Sequence, residues 1–292
     1  MGEPGRAALR PFAWKLPMAS IPVRKTSILL SGMTALLLAG CVSSTVTQGL
    51  EIDAAQGSSE NIASLSAVVS SNPRDPQAYN TRGAAYGRAG MFAKAERDFD
   101  QAIALDPRFT EAYANRGQVR GRQGRSAEAV ADYAQAIRLD PRYDNAYVGR
   151  GDIYMREGQQ EQAFRDYDRA VQLDTTDARA YHNRGLILQR RGQHGDAIED
   201  FSRAISLDDK RPQPYNARGL SYLAQGQDGN ALDDFNVALR LDRRYAAAWV
   251  NQGLVYERRG RKRRAFKAFA RAGAIDPKYK PARSGMDRTR RG

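Results

Sequence analysis

A spacing of 34 residues governs most of this chain. Gly83, Gly117, Gly151, Gly185, Gly219 and Gly253 keep that interval, as do Gly90, Gly124, Gly158, Gly192, Gly226 and Gly260. Ala95, Ala129, Ala163, Ala197, Ala231 and Ala265 follow it, and so do Phe99, Tyr133, Tyr167, Phe201, Phe235 and Phe269. A unit this short cannot enclose a core alone and must stack on its neighbours. Within the first unit Tyr79, Gly83 and Tyr86 stand at i, i+4 and i+7, and Ala95, Phe99, Ala102 and Ile103 at i, i+4, i+7 and i+8. Each set is one face of a helix. Arg88-Ala89-Gly90 supplies a glycine stop between the two, and Asp106-Pro107 closes the second. The spacing therefore predicts an all-α chain of six helical hairpins. Glycine at mid-helix costs about 1 kcal/mol relative to alanine, so its recurrence at Gly83 and its counterparts implies that the paired helices touch there.

The unit, with an aromatic, Gly, Tyr, Ala, Phe or Tyr, Ala and often Pro at fixed places, resembles the tetratricopeptide repeat (TPR) family. Started three residues before the first aromatic, the repeats run 76–109, 110–143, 144–177, 178–211, 212–245 and 246–279. The resemblance implies a solenoid wound as a right-handed superhelix, with the first helices lining a concave surface. Leu65 aligns with Phe99 and Pro73 with Pro107, so residues 59–75 are expected to form a capping half-repeat; residues 280–292 are expected to be a basic C-terminal tail. One column departs from the family. Where leucine is common, Arg82, Arg116, Arg150, Arg184 and Arg218 stand here, then Gln252. Sixteen residues further on lie Asp98, Asp132, Asp166, Asp200 and Asp234, then Ala268. Both columns lose their charge in the same repeat, which predicts an arginine–aspartate pair across each hairpin.

A residue that the unit does not dictate is free to serve a ligand. On the surface that the resemblance makes concave lie Asn80, Asn115, His182, Asn183, Asn216 and Asn251, with Arg88, Arg122, Arg156 and Arg190 further along the same helices. Side-chain amides suit a bound peptide backbone and arginines suit carboxylates, although cations in a last helical turn also offset the helix dipole. The column from Asn80 to Val250 holds no lysine, so the carboxylate clamp by which some TPR domains hold chaperone tails is not expected. His182 and His194 have no ligand spacing around them, and the aspartates and glycines recur with the repeat. No catalytic residues, metal site or cofactor are expected, and the chain reads as a non-enzyme.

The formal charge of +13 is concentrated at the two ends. Residues 257–292 hold 14 basic and three acidic side chains, residues 42–256 hold 27 and 29, and residues 1–41 hold five and one. Near the first of these ends stands the sole cysteine, Cys41, after Arg24-Lys25 and an apolar run from Ser27 to Leu38 that is short of the ~20 residues a membrane span needs. Leu38-Ala39-Gly40-Cys41 resembles the lipobox of bacterial lipoproteins. That resemblance implies cleavage after Gly40, a diacylglyceryl thioether on Cys41 and an acylated new amino terminus; residues 41–58 then form a tether. Met18 is the expected true start, and Val42 rather than Asp points to the outer membrane. In this the chain resembles known bacterial TPR lipoproteins of two kinds, adaptors that dock cell-wall hydrolases or proteases and pilotins that assist secretin assembly for pili. The expectation is accordingly a scaffold for periplasmic or envelope proteins, anchored to the membrane by lipid. Alternatively, Arg258, Arg259, Arg261, Lys262, Arg263 and Arg264 contact an envelope polyanion such as anionic lipid or cell wall; nucleic acid is not an expected partner.

Overall fold

The computed structural model describes residues 58–290, and every regular element among them is an α-helix. In chain order these are α1 (Ser59–Ser71), α2 (Pro76–Arg88), α3 (Phe92–Leu105), α4 (Thr110–Arg122), α5 (Ser126–Leu139), α6 (Asp144–Arg156) and α7 (Gln160–Gln172). They continue as α8 (Ala178–Arg190), α9 (His194–Leu207), α10 (Pro212–Ala224), α11 (Asp228–Leu241), α12 (Ala246–Arg258), α13 (Lys262–Ile275) and α14 (Lys280–Thr289). The even-numbered helices α2 to α12 are the first helices of six hairpins and the odd-numbered α3 to α13 the second. The expected half-repeat is the single helix α1 packed on α2.

Local chemistry sets the ends. Gly90, Gly124, Gly158, Gly192, Gly226 and Gly260 all have φ between +70° and +78°, the left-handed conformation in which a side chain is disfavoured. Each lets the following N–H reach back, as Met91 does to the Tyr86 carbonyl at 2.9 Å, which closes the first helix. After most second helices an aspartate accepts from a backbone N–H two residues on, for example Asp106 from Arg108 and Asp242 from Arg244. Asp75 caps α2, with Pro76 in the first turn.

Within a hairpin, the fully buried Ala95 and Phe99 of α3 pack on Gly83 of α2. A Cβ on Gly83 would stand 2.8 Å from the Phe99 ring, and the same approach recurs at Gly151, Gly185, Gly219 and Gly253. Beside it lies the arginine–aspartate pair. Arg150 donates through Nε and Nη2 to the two oxygens of Asp166 at 2.8 and 2.7 Å, and the other four pairs have the same fork. The last hairpin lacks the pair: Ala268 replaces the aspartate, and Gln252 donates back to Asn236 of α11 in the preceding hairpin at 2.8 Å.

Within the expected basic tail 280–292, Lys280–Thr289 form helix α14. Pro281 lies in the first turn of α14, which buries Ala282 with Val250, Phe269 and Ala272 and seats Gly285 against the Phe269 ring. A low apolar content hid this helix because a terminal cap needs only one narrow buried stripe.

Candidate binding groove

Consecutive first helices pack on each other, whereas among the described residues consecutive second helices do not. The first helices thus form the inner layer of the solenoid. The backbone approach is thinnest between α6 and α8, which are joined instead by side chains, Arg179 and Asn183 of α8 both donating to Asp152 of α6. This thin approach follows from the connection between them: α7 ends at Gln172, Asp174 adopts φ +58°, and Thr175 occupies the place of Pro107, its N–H bonding back to the Ala170 carbonyl at 3.2 Å.

Inter-repeat hydrogen bonds change partners at the same junction. Asn115 donates to Asn80 at 2.9 Å and Asn251 to Asn216 at 2.8 Å; Asn80, Asn216 and Asn251 are buried by this pairing. Arg122, Arg156 and Arg258 each donate from the last turn of a first helix to a carbonyl in the last turn of the preceding one, at Gly87, Gly121 and Leu223. These cations therefore tie neighbouring helices together as well as offsetting a dipole. Arg190, on α8, is exposed and makes no such bond; Arg88, in the first hairpin, is exposed too. In the Asn80 column Val148 offers Asn183 no acceptor, so Asn183 turns to Asp152 and Tyr167 at 2.9 and 3.1 Å. His182 packs on Phe201 with centroids 5.7 Å apart, its buried Nδ1 without a hydrogen-bond partner. Burial, with the nearby charge of Arg211, lowers its pKa to about 4.

Between α4, α6 and α8 the inner layer opens into a recess of about 640 Å³. Asn115, Gln118 and Arg122 border it from α4, Asn145 and Arg156 from α6, and Arg179 and Asn183 from α8. Its floor exists because residue 149 is glycine: a Cβ there would lie 2.4 Å from the Tyr133 ring. Asp152 organises the far side. Its Oδ1 accepts from the Tyr167 hydroxyl at 2.8 Å and from Asn183, and its Oδ2 from Arg179 Nη1 at 2.7 Å. Burial pushes the Asp152 carboxyl above its ordinary range against the pull of Arg179, and pushes the Tyr133 and Tyr167 phenols upward as well. Arg179 is shared between Asp152 and Asp177, whereas Arg122 and Arg156 bond only backbone carbonyls, so the recess favours a ligand bringing negative charge and hydrogen-bond acceptors.

Of the residues picked out by sequence, the recess brings together Asn115, Arg122, Arg156 and Asn183. The asparagines at 80, 216 and 251 lie in inter-repeat contacts, and His182, Arg88 and Arg190 are not part of its lining. Tyr133, Gly149, Asp152 and Arg179 are additions. Their signal was a hydroxyl where four other repeats carry Phe, and one acid in a column otherwise Ala, Gln and Leu. At the C-terminal end Arg258 and Arg259 lie 3.5 and 3.4 Å from Asp228, and Arg261, Lys262, Arg263 and Arg264 are exposed around the start of α13. Among the described residues no group of acids, histidines or cysteines is placed to hold a metal, and no helix is long and apolar enough to cross a membrane. Leu38, Ala39, Gly40 and Cys41 lie outside the described residues.

Stacked helical hairpins with a polar inner recess define a helical-repeat scaffold. Family models agree on which one: "TPR repeat" matches residues 122–156 and 151–192, and two "Tetratricopeptide repeat" models match 76–109 with 178–210, and 216–280. The chain is a TPR solenoid, the build of a protein–protein interaction scaffold; TPR proteins bind protein partners and are generally non-catalytic. No curated sequence matches it significantly. Among solved structures it is similar to YrrB, described as a TPR protein with an unusual peptide-binding site (22% identity, 65% of this chain and 97% of that one, TM-score 0.59). It is also similar to PilF of Pseudomonas aeruginosa (16% identity, 73% and 97%, TM-score 0.66) and to PilW, described as a widely conserved type IV pilus biogenesis factor (17% identity, 72% and 97%, TM-score 0.60). At these identities the likeness is one of fold.

Proposed function

We propose that this chain is a non-catalytic adaptor that holds an extended, carboxylate-bearing segment of a partner protein in the recess between α4, α6 and α8. The observation that carries the reading is the recess at one junction of the inner layer, lined by Asn115, Gln118, Asn145 and Asn183 and by the guanidiniums of Arg122, Arg156 and Arg179. A peptide-binding site in a protein of similar fold, YrrB, is consistent with it. The lipobox at Cys41 supports a periplasmic setting at the outer membrane, with cell-wall enzymes, proteases or pilus components as the classes of partner; PilF and PilW share the fold.

A photo-crosslinking residue at Gln118 should trap a partner in cells, and the adduct should weaken at least about tenfold with Arg122→Ala and Arg156→Ala together, given about 1.5–3 kcal/mol for a hydrogen bond to a charged group. The same residue placed at Arg169, exposed on a second helix, should trap none. Adducts at both positions, or none at Gln118, would reject the groove. Separately, Cys41→Ala should abolish fatty-acid labelling and release the protein from the outer-membrane fraction; retention of both would reject the anchor.

A further inference from the structure

Helix α13 departs from every other second helix in its charge. Each of α3, α5, α7, α9 and α11 carries at least two acids, including the aspartate that pairs across the hairpin. In α13, KRRAFKAFARAGAI, there are five cations and no acid. The missing aspartate is Ala268, and its usual arginine partner is replaced by Gln252, which bonds Asn236 instead. The fold has therefore been released from the constraint that places an acid on this helix.

Arg263, Arg264, Lys267 and Arg271 are all exposed, and at 100° per residue they fall within about 100° of arc. Ala265, Ala268, Phe269 and Ala272, on the other side, are buried. The charged stripe spans about 12 Å at 1.5 Å per residue. Among the described residues the ion pairs of the last hairpin belong to Arg258, Arg259 and Arg288; Arg263, Arg264, Lys267 and Arg271 have no acidic partner. The first turn, Lys262-Arg263-Arg264, also stands at the positive end of the helix dipole, whereas α9 and α11 place Asp196 and Asp228 there. Charges so arranged repel one another and the dipole, and an external anion relieves both.

We infer that this outer face of α13 docks on an anionic lipid surface. It lies in the outer layer, away from the groove. Its cations stand along one exposed helical stripe, with only the shallow recess formed by Arg261 to Arg264 at its start, and the four stripe positions hold no aromatic on which a nucleic acid base would stack. Lysine and arginine near an anionic bilayer each add a comparable increment of attraction that salt screens. The inference depends neither on the groove nor on acylation of Cys41.

The test is co-sedimentation of the full chain carrying Cys41→Ala with equimolar phosphatidylcholine–phosphatidylglycerol vesicles and with phosphatidylcholine vesicles alone. Binding is expected to favour the anionic vesicles by at least about tenfold and to lose that preference near 0.5 M salt, where the screening length is about 4 Å. Replacing Arg263, Arg264, Lys267 and Arg271 by Gln should remove most of the preference, with unchanged helical circular dichroism and an unchanged urea midpoint showing an intact fold. Exchanging Lys for Arg and Arg for Lys at the same four positions should preserve it. An equal preference in the Gln variant, its loss on the Lys/Arg exchange, or stronger capture of duplex DNA with no preference among vesicles overturns the assignment.

Discussion

Arg150 and Asp166 show what an arginine in place of a hairpin leucine demands. The aspartate side chain is 7% exposed and the guanidinium 20%, so neither charge is solvated without the other. Tyr147 and Tyr154 flank the guanidinium, each ring centroid 5.9 Å away. Removing one partner strands a buried charge. Arg150→Ala and Asp166→Ala should each lower stability by about 3 kcal/mol, and the double substitution should cost little more than either single one. Urea unfolding of the four-member cycle measures this, and additive losses would mean that no pair energy exists. His182 gives a pH effect of definite sign. Its pKa is about 4 folded and 6.5 in the ordinary state. Between those values the unfolded chain binds the extra proton, so stability present above pH 6.5 is lost as pH falls, by up to about 3 kcal/mol at 1.36 kcal/mol per unit. His182→Asn, the residue already present at Asn80 and Asn216, should flatten the melting temperature between pH 7 and 4.5.

At the scale of elements, the junction after α7 is the place where the repeat breaks its own rule. Asp174 is the sole non-glycine residue with positive φ among the described residues, a conformation that disfavours a side chain. Asp174→Gly should relieve that strain and raise stability by about 0.5–1 kcal/mol, with the separation of α6 and α8 kept. A small rise in melting temperature with undiminished Gln118 crosslinking is the expected pair of results; a fall would show that the aspartate side chain holds the turn. This junction also explains what the sequence could and could not reveal. Helices α2 to α13 were legible because the first helix of each hairpin stops at a glycine, most second helices stop at an aspartate, and their contacts are the Gly83 and Phe99 columns, all at fixed spacing. The arginine–aspartate pairs were legible because two columns changed together at Gln252 and Ala268. The recess was not. It depends on a backbone torsion at Asp174 with no signal beyond Thr175 replacing proline, and on two core tyrosines, Tyr133, which lines the recess, and Tyr167, whose hydroxyl holds Asp152.

Across the whole described array each helix contacts only near neighbours in sequence, so stability is a chain of local couplings and the ends are the weakest links. The two ends are finished differently. Helix α1 buries Val69 alone, whereas α14 buries Ala282, Gly285 and Thr289, the first against the cluster around Phe269. Ending the chain at Tyr279 would expose one side of Phe269, a ring whose full burial is worth about 2–3 kcal/mol, together with Val250 and Ala272. The loss should stay local. Amide hydrogen exchange in α12 and α13 is expected to accelerate by at least about tenfold, matching 1.4 kcal/mol or more of lost protection, while α2 to α5 keep their rates. Deleting α1 should produce a smaller effect confined to α2 and α3. Equal acceleration along the entire solenoid after either cut would mean that the array unfolds as one cooperative block. In that case a partner seated between α4 and α8 would stabilise even the distant α13 face, whereas local coupling leaves the groove and the basic end free to act separately.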